Sequence, residues 1–160
     1  MEQNHLDEIK WATEGIVQNH PRHCYDVFHH IEMVVERLQD GGAPEWLIDV
    51  GWLHDVGKPF VKAVNPKTGF DTFYHHQLKS VDWAKEKGIV LDSRQEWFIL
   101  HHEDPLTNLE KLDDEHKRWW PWLRAADLYG QNTMNQDVKM DFVTVDEMRR
   151  ALVNKMLEVK

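Results

Sequence analysis

Apolar residues recur every three to four positions through most of the chain, the period of helices with one buried face. Leu6, Ile9, Thr13, Ile16 and Val17 share one side of a predicted first helix over residues 6–18. Asn19-His20-Pro21 interrupts it, and Pro21 suits the first turn of a second helix. That helix is placed over 22–39, with Val27, Ile31, Val34, Val35 and Leu38 as its apolar stripe, and Gly41-Gly42 ends it. A third helix is expected over 44–55, with Gly57 and Pro59 as its stop.

Between residues 60 and 74 the period changes. Val61 and Val64 precede the turn-rich Asn65-Pro66-Lys67-Thr68-Gly69, and Phe70, Thr72 and Tyr74 alternate after it, which predicts a short hairpin. A fourth helix follows over 76–87, closed by Gly88. The capping box Ser93-x-x-Glu96 opens a fifth that reaches His101 or His102, and a loop surrounds Pro105. Trp119-Trp120-Pro121 places another helix start near Pro121, running to about residue 132. A last helix starts at the box Thr144-x-x-Glu147, with Met148, Leu152, Val153 and Met156 facing inward. The pattern is all-α: a bundle of six or seven helices with one short β-hairpin. Without repeats or long linkers, residues 1–160 read as one domain.

Composition narrows the function. The 160 residues are 41% hydrophobic and 29% charged, and eight tryptophans supply bulky core material. Nineteen basic against 28 acidic residues give a net charge of −9, which argues against a broad grip on long duplex nucleic acid. Cys24 is the lone cysteine, so neither an internal disulfide nor a Cys-based zinc knuckle can form. The first residues lack the basic and apolar regions of a secretion signal, and no apolar run is long enough to span a membrane. A cytoplasmic protein is the expectation.

Eleven histidines are the main chemical signal. His30, the pair His54-Asp55, and Asp127 lie on or near separate helices, so a bundle can bring them around one cavity. Imidazole with carboxylate favours a divalent transition metal, and four protein ligands leave room for water and substrate. His75-His76 and His101-His102 lie between Asp55 and Asp127. Some of these, namely His76, His101 and His102, can hold a second ion with Asp55 bridging, although one ion is preferred over two.

The chain resembles the HD-domain metal-dependent phosphohydrolases over about residues 19–131. The likeness rests on Val27-Phe28-His29-His30-Ile31-Glu32-Met33-Val34, on Leu53-His54-Asp55-Val56-Gly57-Lys58-Pro59, and on Ala126-Asp127-Leu128. A narrower likeness, in HDVGKP, NPKTG, Phe73-Tyr74-His75-His76 and Ser80, is to the HD domain of bacterial tRNA nucleotidyltransferases and to RNA end-repair modules that hydrolyse 2′,3′-cyclic or 2′-phosphates. His101-His102-Glu103 is similar to cyclic-dinucleotide phosphodiesterases, but no Gly-Tyr-Pro motif follows.

The resemblance implies that His30, His54, Asp55 and Asp127 bind one or two divalent ions (Mn, Ni, Co, Fe, Zn or Mg). His30 rather than His29 is the first ligand, because the family's His-x-x-x-Val spacing fits His30 and Val34. Lys58 is expected to meet a substrate phosphate oxygen as charge develops. The opposing reading makes Lys58 a solvated cation at a helix end. His76 and His102 are expected to position oxygens, protonate the leaving group or hold the second ion, and His23, two turns before His30, to touch substrate at the rim. The substrate is expected to be a nucleotide or an RNA end. The rivals are a nucleotidase or dinucleotide hydrolase, and a regulatory module that binds metal and nucleotide without turnover. His5, His20 and His116 carry no motif and are read as structural or surface residues. Trp119-Trp120 beside Lys117 and Arg118 is left open as a base-stacking surface.

Overall fold

The computed structural model describes residues 1–105 and 111–131. Among these residues lie six helices of nine residues or more, one helical turn and a two-stranded hairpin. In order they are α1 (Gln3–Thr13), α2 (Val27–Asp40), α3 (Glu45–Leu53), α4 (Lys58–Val61), β1 (Ala63–Val64), β2 (Asp71–Thr72), α5 (His76–Glu86), α6 (Ser93–His101) and α7 (Asp114–Tyr129). The helix expected at 144–156 lies outside the described residues. No described helix is long and apolar enough to cross a membrane.

α2 is the central element, packed against α3 on one side and α7 on the other, while α6 joins α3 to α5. Its expected stripe is the buried one: Val27, Ile31, Val34, Val35 and Leu38 are all inaccessible, and His30 shares their face. Leu47, Val50 and Leu53 from α3, Phe98 and Ile99 from α6, and Leu123, Ala125 and Ala126 from α7 complete the core. The hairpin pairs Ala63 with Thr72 and Val64 with Asp71 in antiparallel register.

Capping side chains set helix boundaries that periodicity misplaces. α1 ends at Thr13 rather than at residue 18, because Gly15 turns the chain with φ +78° and donates its N–H to Asp26 Oδ2 at 2.8 Å. Asp26 also accepts from the His29 N–H at 2.6 Å, so α2 begins at Val27 and not after Pro21. The box of α6 sits one residue earlier than expected, Asp92 and Gln95 serving each other in place of Ser93 and Glu96. A carboxylate is the better acceptor beside a helix N-terminus.

α7 shows the largest departure. It starts at Asp114, capped by Asp113, and Pro121 is buried inside it. The cap and the packing of Trp120 and Leu123 outweigh the one backbone bond a proline removes. Trp120 is buried and donates its indole N–H to the His101 carbonyl at 2.9 Å, and Trp119 packs against the core with Arg118 over its ring. These tryptophans are therefore packing residues, and neither lines the cleft described below, so the stacking role left open for them has no support there.

Candidate metal centre

His30 is carried by α2, His54 and Asp55 by the turn that leaves α3, and Asp127 by the last turn of α7. All four are buried and offer ligand atoms within 4.8 Å of one another. His30 Nε2 stands 3.3 Å from His54 Nε2, 3.1 Å from Asp55 Oδ2 and 3.0 Å from Asp127 Oδ1. A second group of ligand atoms, from Asp55, His76, His102 and Glu103, meets the same distance criterion. Here Asp55 presents its other oxygen: Oδ1 lies 3.1 Å from His76 Nε2 and 3.3 Å from His102 Nε2.

Asp55 thus faces both groups, one oxygen toward each. Its two oxygens are buried, and Oδ2 also pairs with the Lys58 ammonium at 2.9 Å.

The four imidazoles are oriented alike. Nδ1 of His30, His54, His76 and His102 meets the carbonyls of Gly130, Gly51, Phe73 and Ile99 at 2.7, 2.7, 2.9 and 2.7 Å. A carbonyl can only accept, so each Nδ1 carries a proton and each ring turns Nε2 inward, free to bind either a proton or a metal ion. Backbone carbonyls commonly orient metal-binding histidines this way. Four inward lone pairs and two carboxylates in one buried space repel each other unless positive charge lies among them. The Lys58 ammonium beside Asp55 Oδ2 supplies one such charge, and protons on Nε2 or metal ions can supply the rest. Ligands bound at ~2.1 Å stand about 3.0–3.4 Å apart on octahedral and tetrahedral ions, the spacing found here. The donor set therefore fits divalent transition metals in both groups.

Electrostatics follow the same arrangement. Burial alone pushes His30 down, but the Asp127 and Asp55 carboxylates outweigh it and raise its pKa to about 9. His102 is raised in the same way, with Asp55 overcoming burial. Burial pushes Asp55 up, yet His54, Lys58, His102 and His30 hold it well below the usual carboxylate range. Asp127 behaves likewise beside His30 and His54.

Lys58 opens α4 and is 2% exposed, which removes the solvated-cation reading. Its Nζ lies 2.9 Å from Asp55 Oδ2 and donates to Gln18 Oε1 at 2.8 Å. Burial pushes the ammonium down, but Asp55 raises its pKa, so it stays charged. The turn that carries His54 and Asp55 is pinned by Ser80. The Ser80 hydroxyl accepts the Gly57 N–H at 2.9 Å and donates to the His54 carbonyl at 3.1 Å. A Cβ on Gly57 would come within 2.5 Å of the α5 backbone, so only glycine permits this approach.

A cleft of about 330 Å³ opens onto the centre, with Lys58, His76 and Glu103 in its lining together with His20, Arg22, His23, Phe73, Tyr74 and Arg124. His23 lies before α2 rather than on it, yet its ring stands 5.6 Å from that of His30. Burial, then Lys58 and His30, lower its pKa to about 3, so it is neutral. His20, read as structural, lines this cleft.

His101 is not gathered into either group. It stacks on Trp97, and its Nδ1 meets Asp104 Oδ2 at 2.7 Å, because α6 turns His101 and His102 to different sides. Glu103, which the sequence reading did not include, holds the place expected for His101: Oε1 stands 3.6 Å from His76 Nε2, and Oε2 accepts from Gln77. Its position next to His102 was the available signal. Gln18 carried none, since its partner Lys58 lies 40 residues away, and the only signal for Arg124 was its helical spacing to Asp127.

Comparison with known families agrees with this geometry: the HD domain family matches residues 22–137. The chain belongs to the HD domain family. HD domains are generally metal-dependent hydrolases, and the matched span of this one contains every residue of both ligand groups. No curated protein and no solved structure gives a significant match to this HD domain.

Proposed function

We propose that this HD domain is a phosphohydrolase that uses two divalent ions to cleave a phosphoester of a nucleotide or an RNA end. The observation that carries the reading is Asp55, whose Oδ2 faces His30 and His54 while Oδ1 faces His76 and His102. A carboxylate shared in this way serves two ions, so the preference for a single ion is given up. His30, His54, Asp55 and Asp127 would hold one, and Asp55, His76, His102 and Glu103 would hold the other. Such ions would supply Lewis acidity and lower the pKa of bound water toward ~7.

The protein's own groups do the rest. Lys58, charged and fixed between Gln18 and Asp55, offsets negative charge that builds on the phosphoryl oxygens. His23, a neutral imidazole on the cleft wall, offers a hydrogen bond to the substrate rather than a charge. Phe73 and Tyr74 give the cleft an aromatic side, and its size suits one nucleotide rather than a polymer.

The test is hydrolysis of p-nitrophenyl phosphate, bis-p-nitrophenyl phosphate and 2′,3′-cyclic nucleotides with Mn, Ni, Co or Mg, together with metal analysis. About two ions per chain and turnover of at least one ester are expected. Preference among the esters separates a monoesterase or nucleotidase from a cyclic phosphodiesterase. Protein that binds metal and ligand yet releases no phosphate is a regulatory module instead.

A further inference from the structure

Arg124 stands one helical turn before Asp127 on α7, so the two side chains meet on one face. Its Nη1 donates to Asp127 Oδ2 at 3.2 Å, while Oδ1 of the same carboxylate faces His30 and His54. One oxygen is thereby held by the guanidinium and the other is left for ligation.

That contact uses little of the guanidinium. Arginine carries five N–H donors, and the Nε of Arg124 is buried without a hydrogen bond. The side chain is 14% exposed and lines the cleft with Lys58, His76 and Glu103. Buried donors left unmatched are costly, and a charged group makes them more so. An anion in the cleft removes that cost. The carboxylates nearby do not compete for the role: Asp71 is taken by Lys62 and the Asn19 N–H, and Glu103 Oε2 by Gln77.

We propose that Arg124 binds a non-bridging oxygen of the substrate's phosphoryl group with the donors Asp127 leaves unused, and so selects for phosphate oxyanions. The proposal rests on the phosphohydrolase reading above and adds a residue to it. The planar fork of arginine can serve a carboxylate and a phosphate together, which a lysine ammonium in the same place does less well.

The experiment is calorimetric titration of inorganic phosphate into Mn-loaded wild-type, Arg124→Lys and Arg124→Gln proteins, with bound Mn measured alongside. Arg124→Gln is expected to weaken phosphate binding about tenfold to a hundredfold while keeping its Mn, and Arg124→Lys is expected to recover part of the loss. Phosphate affinity within about twofold of wild type in Arg124→Gln overturns the proposal. Where Arg124→Gln fails to fold, Arg124→Lys decides: weaker phosphate binding with Mn retained supports the role, and wild-type affinity removes it. Loss of Mn from both variants assigns Arg124 to holding Asp127 alone and also overturns it. Wild-type protein that binds neither Mn nor phosphate defeats the hydrolase reading itself, a result distinct from any of these.

Discussion

The Ser80 hydroxyl donates to the backbone carbonyl of His54, across 26 residues of sequence, and so ties the second turn of α5 to the turn that carries two candidate metal ligands. Because it also accepts from the Gly57 N–H, one side chain satisfies two backbone groups of that turn. Ser80→Ala leaves both without their partner in a buried place. The expected cost is about 1–3 kcal/mol, read as a fall of several degrees in Tm, with metal affinity reduced about tenfold or more. An unchanged affinity in a metal titration of the variant would show that the pin does not hold the ligands.

Asp55→Asn tests the shared carboxylate. The amide has nearly the same shape but no charge, and only one of its two arms can ligate. Ion content should fall from about two per chain to one or none, and ester hydrolysis by at least ~10³-fold. Mass-spectrometric metal analysis of purified protein checks the first, and the p-nitrophenyl esters the second. A variant that keeps two ions is incompatible with bridging by Asp55.

Gly130→Ala acts on His30 from behind. A Cβ there would lie 2.9 Å from His30 Nδ1 and 3.1 Å from the His30 carbonyl oxygen, so the imidazole or the end of α7 must shift. Overpacking of this kind costs about 1–3 kcal/mol. Because the displaced ring is a ligand, metal affinity should drop along with Tm. A loss of Tm with unaltered metal binding would place the strain in the helix end alone.

Protons and metal ions compete for the same lone pairs. In protein stripped of metal, the His30 pKa of about 9 lies above the ordinary imidazole value of 6.5. Its ion pairs then contribute stability that is fully present below about pH 6.5 and is lost as pH rises through 9. Metal binding must displace that proton, so apparent affinity should rise with pH up to about 9, by about tenfold per unit for each proton released. Titrations in buffers of different ionisation enthalpy count the protons. Affinity that is flat between pH 6 and 9 would contradict a charged His30.

The parts of the centre that were readable in the sequence are those whose chemistry depends on residue type and order: His30, His54-Asp55 and Asp127. His76 and His102 were readable as candidates, because a run of histidines between these points has few other uses. Glu103 was not separable from His101, since the choice depends on which way α6 turns its last residues. Helix interiors followed from periodicity, as the stripe of α2 shows. The starts of α2, α6 and α7 did not, because Asp26, Asp92 and Asp113 set them through capping bonds that competing Pro and Ser signals obscured. Gln18 and Ser80 acquire their roles from neighbours 40 and 26 residues away, brought close only by the fold.

The bond between His30 Nδ1 and the Gly130 carbonyl joins positions 100 residues apart. During synthesis, His30, His54 and Asp55 leave the ribosome long before Asp127 and the carbonyl that aims His30. A nascent chain that ends before α7 lacks part of the cage, so complete ion capture must come late in biogenesis.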